Sequence, residues 1–354
     1  MSSVHTLGVR PNTVVLVTDS DMGGMSLWSF EPGIAFFVFF GFTVGILFGF
    51  FGLGGSFFVT PALLVLGHPV EAAVGSGLVF VFGTSITAVV THRRLGHIDY
   101  KLGGLLVAGM TMGLEVGKRV LFELSAIGLA DLIVSTAYVG LLAAVGLFVL
   151  FDARNRTSVQ GTVVDANVLR QIGTVHVPPM LSIREEVTVS IWIMLAIAFT
   201  TGILAGVLGV GGGFLILPIL MYGLSLPETV AVGTDIFQIA ISSGYGSFMY
   251  ARADAVHLSV VVPLLGGSVF GAYLGSQLTE FVEEAKFKQY FALILLVDSV
   301  AVASKTISHT YGVVALHVLS LVLLFGTAVV MSSIVVSFGT RNALREGDTL
   351  SKNN

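Results

Sequence analysis

The chain alternates long apolar blocks with short polar joints. The apolar blocks cover residues 33–66, 70–91, 102–117, 127–151, 187–223, 228–250, 257–279, 289–304 and 312–338. Runs of about 20 residues with almost no charge are the length at which a helix crosses a hydrocarbon core. The polar stretch 152–186 holds Arg154, Arg156, Arg170, Arg184 and the pair Pro178-Pro179, and reads as an exposed loop. The pattern predicts an all-α polytopic membrane protein. Its parts are an N-terminal tail (1–32), a first transmembrane repeat (33–151), the polar central loop (152–186), a second transmembrane repeat (187–304), an additional C-terminal span (305–340) and a tail (341–354).

The two sides of the central loop resemble one another. At a spacing of 157, Gly45, Gly49, Gly52, Gly54, Gly55, Phe57, Pro61 and Glu71 meet Gly202, Gly206, Gly209, Gly211, Gly212, Phe214, Pro218 and Glu228. After a slip of one residue, Val74-Gly75, Ser85, Arg94, Gly109, Gly113 and Gly117 meet Val232-Gly233, Ser243, Arg252, Gly267, Gly271 and Gly275. Matches in this order and density predict a duplicated unit, as in many secondary transporters. The first block of each unit is too long for one crossing and short for two. A helix, a glycine break and a shorter returning helix use that length, which makes the repeats inverted. The basic residues agree: on that topology 12 of the 17 Lys and Arg fall on one side, which the positive-inside rule assigns to the cytoplasm together with the C-terminus. The expected location is the plasma membrane.

The breaks are "GFFGLGGSFFVTP" at 49–61 and "GVLGVGGGFLILP" at 206–218. A break in hydrocarbon leaves backbone groups without water, at several kcal/mol each, and survives where the backbone lines a cavity. A helix starting near Gly55 or Ser56, facing one starting near Gly212, aims free N–H groups and two positive dipole ends at one point. That is an anion site without a buried arginine. A single glycine in a membrane helix reads as a packing residue; the duplicated motif, ending in proline at the same offset, favours the site. Candidate substrate-binding residues are Gly54, Gly55, Ser56, Ser76, Gly211, Gly212, Gly213, Thr234 and Gln238. Gly52, Pro61, Gly209 and Pro218 shape the breaks.

Asp235 is a coupling candidate, because a carboxyl inside a span is expensive and by default functional. Its alternative is a cap near Thr229–Gly233 or an interfacial position. Asp298 is a second, weaker coupling candidate. Glu115 reads as paired with Lys118 or Arg119 at an interface. His68, His92 and His97 fall at block ends, where histidines face water, and His317 reads as mid-span. The glycine stripes 109–113–117 and 267–271–275 read as helix packing within the bundle, with a homo-oligomer contact as the other use.

Composition narrows the classes further. Hydrophobic residues make up 55% of the chain and charged residues 11%, with a mean hydropathy of +0.94. The absence of cysteine excludes disulfides and thiolate metal sites. No Walker loop, His-Glu-x-x-His or Gly-x-Ser-x-Gly occurs, so an intramembrane enzyme is the poorest reading; no cofactor, metal or nucleic acid is expected. No cleavable signal peptide is expected from residues 1–30.

The motifs "GVGGGFLILPIL", "AVGTDIFQ" and "GSVFGAYLG" resemble the TauE/SafE anion permeases, the sulfite exporter family, over about 33–151 and 187–304. The resemblance implies transport of small sulfur-containing anions, such as sulfite or a sulfonate, coupled to a proton or sodium gradient. It carries the family's glycine-proline motif onto Gly52, Gly54, Gly55 and Pro61, and onto Gly209, Gly211, Gly212, Gly213 and Pro218. Ser56 stands where the second copy has its third glycine. The expectation is therefore a carrier working by alternating access, one half rocking against the other. An anion channel lined by the same glycines is the alternative.

Overall fold

The computed structural model describes residues 32–51, 56–154, 178–183, 187–224, 226–278 and 284–352. Among them the chain forms α1 (Pro32–Phe51), α2 (Ser56–Val65), α3 (Val70–Arg94), α4 (Tyr100–Ala126) and α5 (Ala130–Arg154). A short antiparallel hairpin follows, β1 (Met180–Ile183) with β2 (Val187–Ser190). Then come α6 (Ile191–Leu208), α7 (Gly213–Pro218) continuing into a π turn at Ile219–Gly223, α8 (Glu228–Ala251), α9 (Leu258–Leu278), α10 (Glu284–Tyr311) and α11 (Val314–Lys352).

Six described helices are long and apolar enough to cross a membrane: Val70–Arg94, Ala130–Phe151, Ile191–Leu208, Leu258–Gln277, Gln289–Tyr311 and Val314–Ser337. The blocks at 102–117 and 228–250 are not in that set. α4 carries Glu115, Lys118, Arg119 and Glu123, and α8 turns Asp235, Gln238, Ser242, Ser243 and Ser247 into the interior. Other boundaries also differ from the sequence reading. Residues 187–190 pair as a strand instead of opening a helix, so the central loop ends in a hairpin. The last helix runs through the expected tail to Lys352, since polar helix formers there continue it. At about 1.5 Å per residue its length exceeds a hydrocarbon core of ~30 Å, so it projects beyond the bilayer. His317 sits in the first turn or so of α11, not mid-span.

The four most extensive helix pairings all join the first half of the chain to the second: α1 with α9, α4 with α6, α5 with α10, and α3 with α8. Glycine makes the two closest ones. A Cβ on Gly41 or Gly45 of α1 would lie 2.1 Å from the Leu264 carbonyl oxygen or 2.4 Å from that of Ser268. A Cβ on Gly267 or Gly271 of α9 would lie 2.0 Å from the oxygen of Val38 or Phe42. Residue numbers rise together along this seam, so α1 and α9 run parallel. The α4–α6 seam repeats the pattern: Gly109 meets Ala198, Gly113 meets Phe199 and Gly202, and Gly117 meets Ile203 and Gly206. Small residues let backbones approach where no hydrophobic effect drives them together.

The other two pairings run the opposite way. Along α3 and α8, Gly75 lies against Tyr250, Leu78 against Gly246 and Phe82 against Gly244. Along α5 and α10, Asp131 pairs with Lys305 at 2.5 Å, the Ser299 hydroxyl donates to the Val139 carbonyl at 3.0 Å, and Gly146 packs on Leu296. α3 and α8, and likewise α5 and α10, therefore run antiparallel.

The glycine seams should carry much of the stability. Gly113→Ala puts a methyl 2.1 Å from the Phe199 carbonyl and forces α4 and α6 apart. Thermal unfolding in detergent should show a loss of about 1–3 kcal/mol. Gly104→Ala, on the same helix with nothing within 4 Å, should change stability by no more than about 1 kcal/mol, in the stabilising direction.

Candidate functional site

The second break is built from two glycines in the left-handed region. Gly209 ends α6 at φ 72°, its N–H donating to Ala205 at 2.8 Å, and Gly212 precedes α7 at φ 81°. Only glycine takes such angles without strain, so Gly-x-x-Gly here is a backbone requirement. Beyond Pro218, which has no N–H to give, the helix widens into the π turn.

Carbonyls orphaned by the end of α6 find side-chain donors. The Tyr250 hydroxyl of α8 donates to the Gly206 oxygen at 2.6 Å, and the Tyr138 hydroxyl of α5 donates to the Leu208 oxygen. Both rings are almost wholly buried. Neither tyrosine stood out in the sequence, where each is one aromatic in an apolar helix.

The turn Gly211–Gly213 lies where four helices meet. Gly211 touches Val81 of α3 and Ile239 of α8, and Gly212 touches Met110 of α4 and Thr201 of α6. Gly213 faces the Asp235 carboxyl, whose Oδ2 would stand 2.5 Å from a Cβ there. Asp235 is buried inside α8, so it is neither a helix cap nor interfacial. Its Oδ1 has no hydrogen-bond partner among the described residues. Gln238, one turn on, donates from Nε2 to Ser242 Oγ at 3.3 Å, while its Oε1 is likewise unpartnered.

Of the first motif, Gly52, Gly54 and Gly55 lie outside the described residues, and Ser56 is seen only as the first residue of α2. What is described brings α2 to the second break. Thr60 of α2, wholly buried, fills the space left by Gly77 of α3, and a Cβ on Gly209 would stand 3.0 Å from its Oγ1. Pro61 is the next residue of the same helix.

Ser76 and Thr234 are fully buried, but each hydroxyl serves a loop of the other half. The His257 N–H donates to Ser76 Oγ at 3.1 Å, and the Asp99 N–H donates to Thr234 Oγ1 at 3.0 Å. Asp298 is not brought to the glycine turn. It lies buried on α10, whose main partner is α5, with Oδ1 unpartnered. Glu115 pairs with Arg119 at 3.0 Å, while Lys118 donates instead to the Met249 carbonyl at 2.8 Å.

The family described as "Sulfite exporter TauE/SafE" matches residues 37–302, three quarters of the chain. The chain belongs to this family. A probable membrane transporter protein of Xylella fastidiosa (strain 9a5c) is 26% identical over 264 residues, covering 73% of this chain and 90% of that protein. The probable membrane transporter protein YunE of Bacillus subtilis (strain 168) is 25% identical over 266 residues, 72% of this chain and 90% of its own. YdhB of the same organism, also a probable membrane transporter protein, is 29% identical over 253 residues, 70% of this chain and 91% of its own. No solved structure matches the chain. As a TauE/SafE member the protein is a multi-pass membrane transporter and not an enzyme. Its family match ends within α10, so α11 lies outside it.

The tyrosine contacts have a measurable consequence. Tyr250→Phe leaves the Gly206 carbonyl unpaired in a dry interior and should destabilise the protein by about 1–3 kcal/mol in thermal unfolding. Tyr245→Phe, at a partly exposed ring, should stay within roughly 0.5 kcal/mol.

Proposed function

We propose that this TauE/SafE transporter is a secondary carrier of small sulfur-containing anions, working by alternating access between two inverted repeats in the plasma membrane, with its C-terminus in the cytoplasm. The observation that carries the reading is the meeting of the Gly211–Gly213 turn with the Asp235 carboxyl, whose buried Oδ1 is unpartnered, one helical turn before the equally unpartnered Oε1 of Gln238. The N–H groups of Gly212 and Gly213, where the next helix begins, are donors of the kind that suits an anion. The two side-chain oxygens are acceptors, which suit a proton or a sodium ion. An anion and a coupling cation held side by side neutralise one another in a medium of low dielectric, where either alone is costly.

This division of labour moves Gln238 from the anion to the coupling ion, because its amide N–H is engaged by Ser242. Asp298 stands apart as a second carboxyl without a role at this site. The antiparallel run of α3 with α8 and of α5 with α10 supports inverted repeats. The glycine seams change which bodies move. Each half is sealed to the other along α1–α9 and α4–α6, so these pairs make better rigid units than the halves themselves.

The test is flux into proteoliposomes of labelled sulfite, sulfate, thiosulfate and a short sulfonate, with and without proton and sodium gradients. Saturable, gradient-driven flux of one anion is expected. Gly212→Leu, forced to φ 81° against Met110 and Thr201, should lower it by roughly tenfold or more, about 1.4 kcal/mol per decade. Asp235→Asn should abolish the effect of the gradient while downhill flux persists. Flux that rises linearly with concentration would assign a channel; no flux of any of these anions in folded protein would refute the proposal.

A further inference from the structure

The two hydroxyl contacts between the halves form a matched pair. Ser76 and Thr234 are separated by the repeat spacing of 158, and so are their partners Asp99 and His257. The glycine before each hydroxyl admits the same loop. A Cβ on Gly75 would lie 2.0 Å from the Ala255 oxygen, and one on Gly233 would lie 2.8 Å from the His97 oxygen. Each Val-Gly-Ser/Thr thus seats a loop from the opposite half, glycine giving room for a carbonyl and the hydroxyl accepting an N–H.

The loops are also helix starts. Asp99 caps α4, its Oδ1 accepting from Lys101 and Leu102 at 3.0 Å, and the His257 carbonyl accepts the Val260 and Val261 N–H groups at the start of α9. α4 and α9 are the two helices that carry the glycine stripes. A tilt of either sealed pair must therefore pull on its own contact. Because α3 and α8 are antiparallel, the two contacts lie towards opposite ends of the bundle.

One contact has an addition that the other lacks. His68, in the joint after α2, holds its Nδ1 3.0 Å from Nδ1 of His257, so the first half grips this loop twice. One of the two nitrogens must be unprotonated for the pair to hold. The His92–His97 pair at the other end, Nδ1 to Nδ1 3.4 Å, joins residues of a single half.

We propose that Ser76 and Thr234 are positioning residues for two gates, one at each face, and that the His68–His257 pair makes the Ser76 gate open when protonated. This rests on the alternating-access reading above. On the proposed orientation this gate faces outside, opposite the cytoplasmic Arg93 and Arg94.

Burial, and secondarily the neighbouring His257 ring, lower the pKa of His68 from its usual 6.5. A group whose pKa is lower closed than open favours the closed gate above its open-state pKa. That preference fades as pH falls below about 6.5. The other charged groups towards this end of the surrounding elements are Glu71 on α3, Glu115, Lys118, Arg119 and Glu123 on α4, and Arg252 and Asp254 in the loop; Glu115 and Arg119 pair with each other. Glu71 accepts the Ser125 hydroxyl, Lys118 is held by Met249, and Arg252 lies 5.8 Å from the Phe248 ring.

The chain has no cysteine, so paired spin labels report the gates directly in the full-length protein in liposomes. Pro69→Cys with Leu258→Cys spans the Ser76 gate, and Leu95→Cys with Thr229→Cys spans the other; all four positions are exposed. Between about pH 7.5 and about pH 5.5, where histidine titrates, the first pair should lengthen while the second does not. His68→Gln should remove that shift. Ser76→Ala should raise the open share at the higher pH by roughly fivefold, the size of one net hydrogen bond, and Ser76→Thr should restore it. A first pair indifferent to pH, or a shift that survives His68→Gln, overturns the proton-sensitive gate and leaves alternating access standing. An open share unchanged in Ser76→Ala overturns the role of the hydroxyl. Both pairs lengthening together, with His68→Gln abolishing the effect, keeps the gate but refutes alternating access in favour of a channel.

Discussion

A helix interrupted within a membrane must find partners for the carbonyls that its next turn no longer supplies. In this protein that requirement governs the centre of the bundle. Tyr250 answers Gly206 from α8, Tyr138 answers Leu208 from α5, and Gly209 answers Ala205 by turning left-handed. The carbonyl side of the break is thus satisfied internally, by groups that three different helices supply. Without the two hydroxyls the break would be too costly to sustain in a dry interior.

The second constraint is close approach. Glycine at seven or more positions lets backbone meet backbone along α1–α9 and α4–α6, and each of these seams joins opposite halves of the chain. The two halves of the chain therefore interlock along these seams instead of packing as two bodies side by side. The same logic recurs at Gly75 and Gly233, where a missing side chain admits a loop from across the bundle.

Polarity is arranged with equal economy. The described core holds few ionisable groups, and those with unsatisfied oxygens, Asp235 and Asp298, sit on different helix pairs. Among the described residues, Asp235 is the carboxyl that faces the Gly211–Gly213 turn. At the spacing of 158 its position in the first half is Gly77 and that of Gln238 is Phe80, so neither polar side chain has a match there.

By itself the sequence determined the membrane class, the number and rough extent of most helices, the break at Gly209–Gly212 and the family. These follow from hydropathy, from residue spacing and from glycine's singular backbone, all of which are local properties. It also marked Asp235, because a carboxyl in an apolar run is conspicuous wherever it points. What only the tertiary structure decided is partnership. Ser76 and Thr234 look like substrate donors along the chain, yet each is engaged by a loop some 130 to 180 residues away. Tyr138, Tyr250 and Thr60 have no local signature at all, since their importance lies in the carbonyl or glycine that packing brings to them. Hydrogen bonds across a bundle are set by which helices lie adjacent and in which direction they run, and that information is carried by no single stretch of sequence.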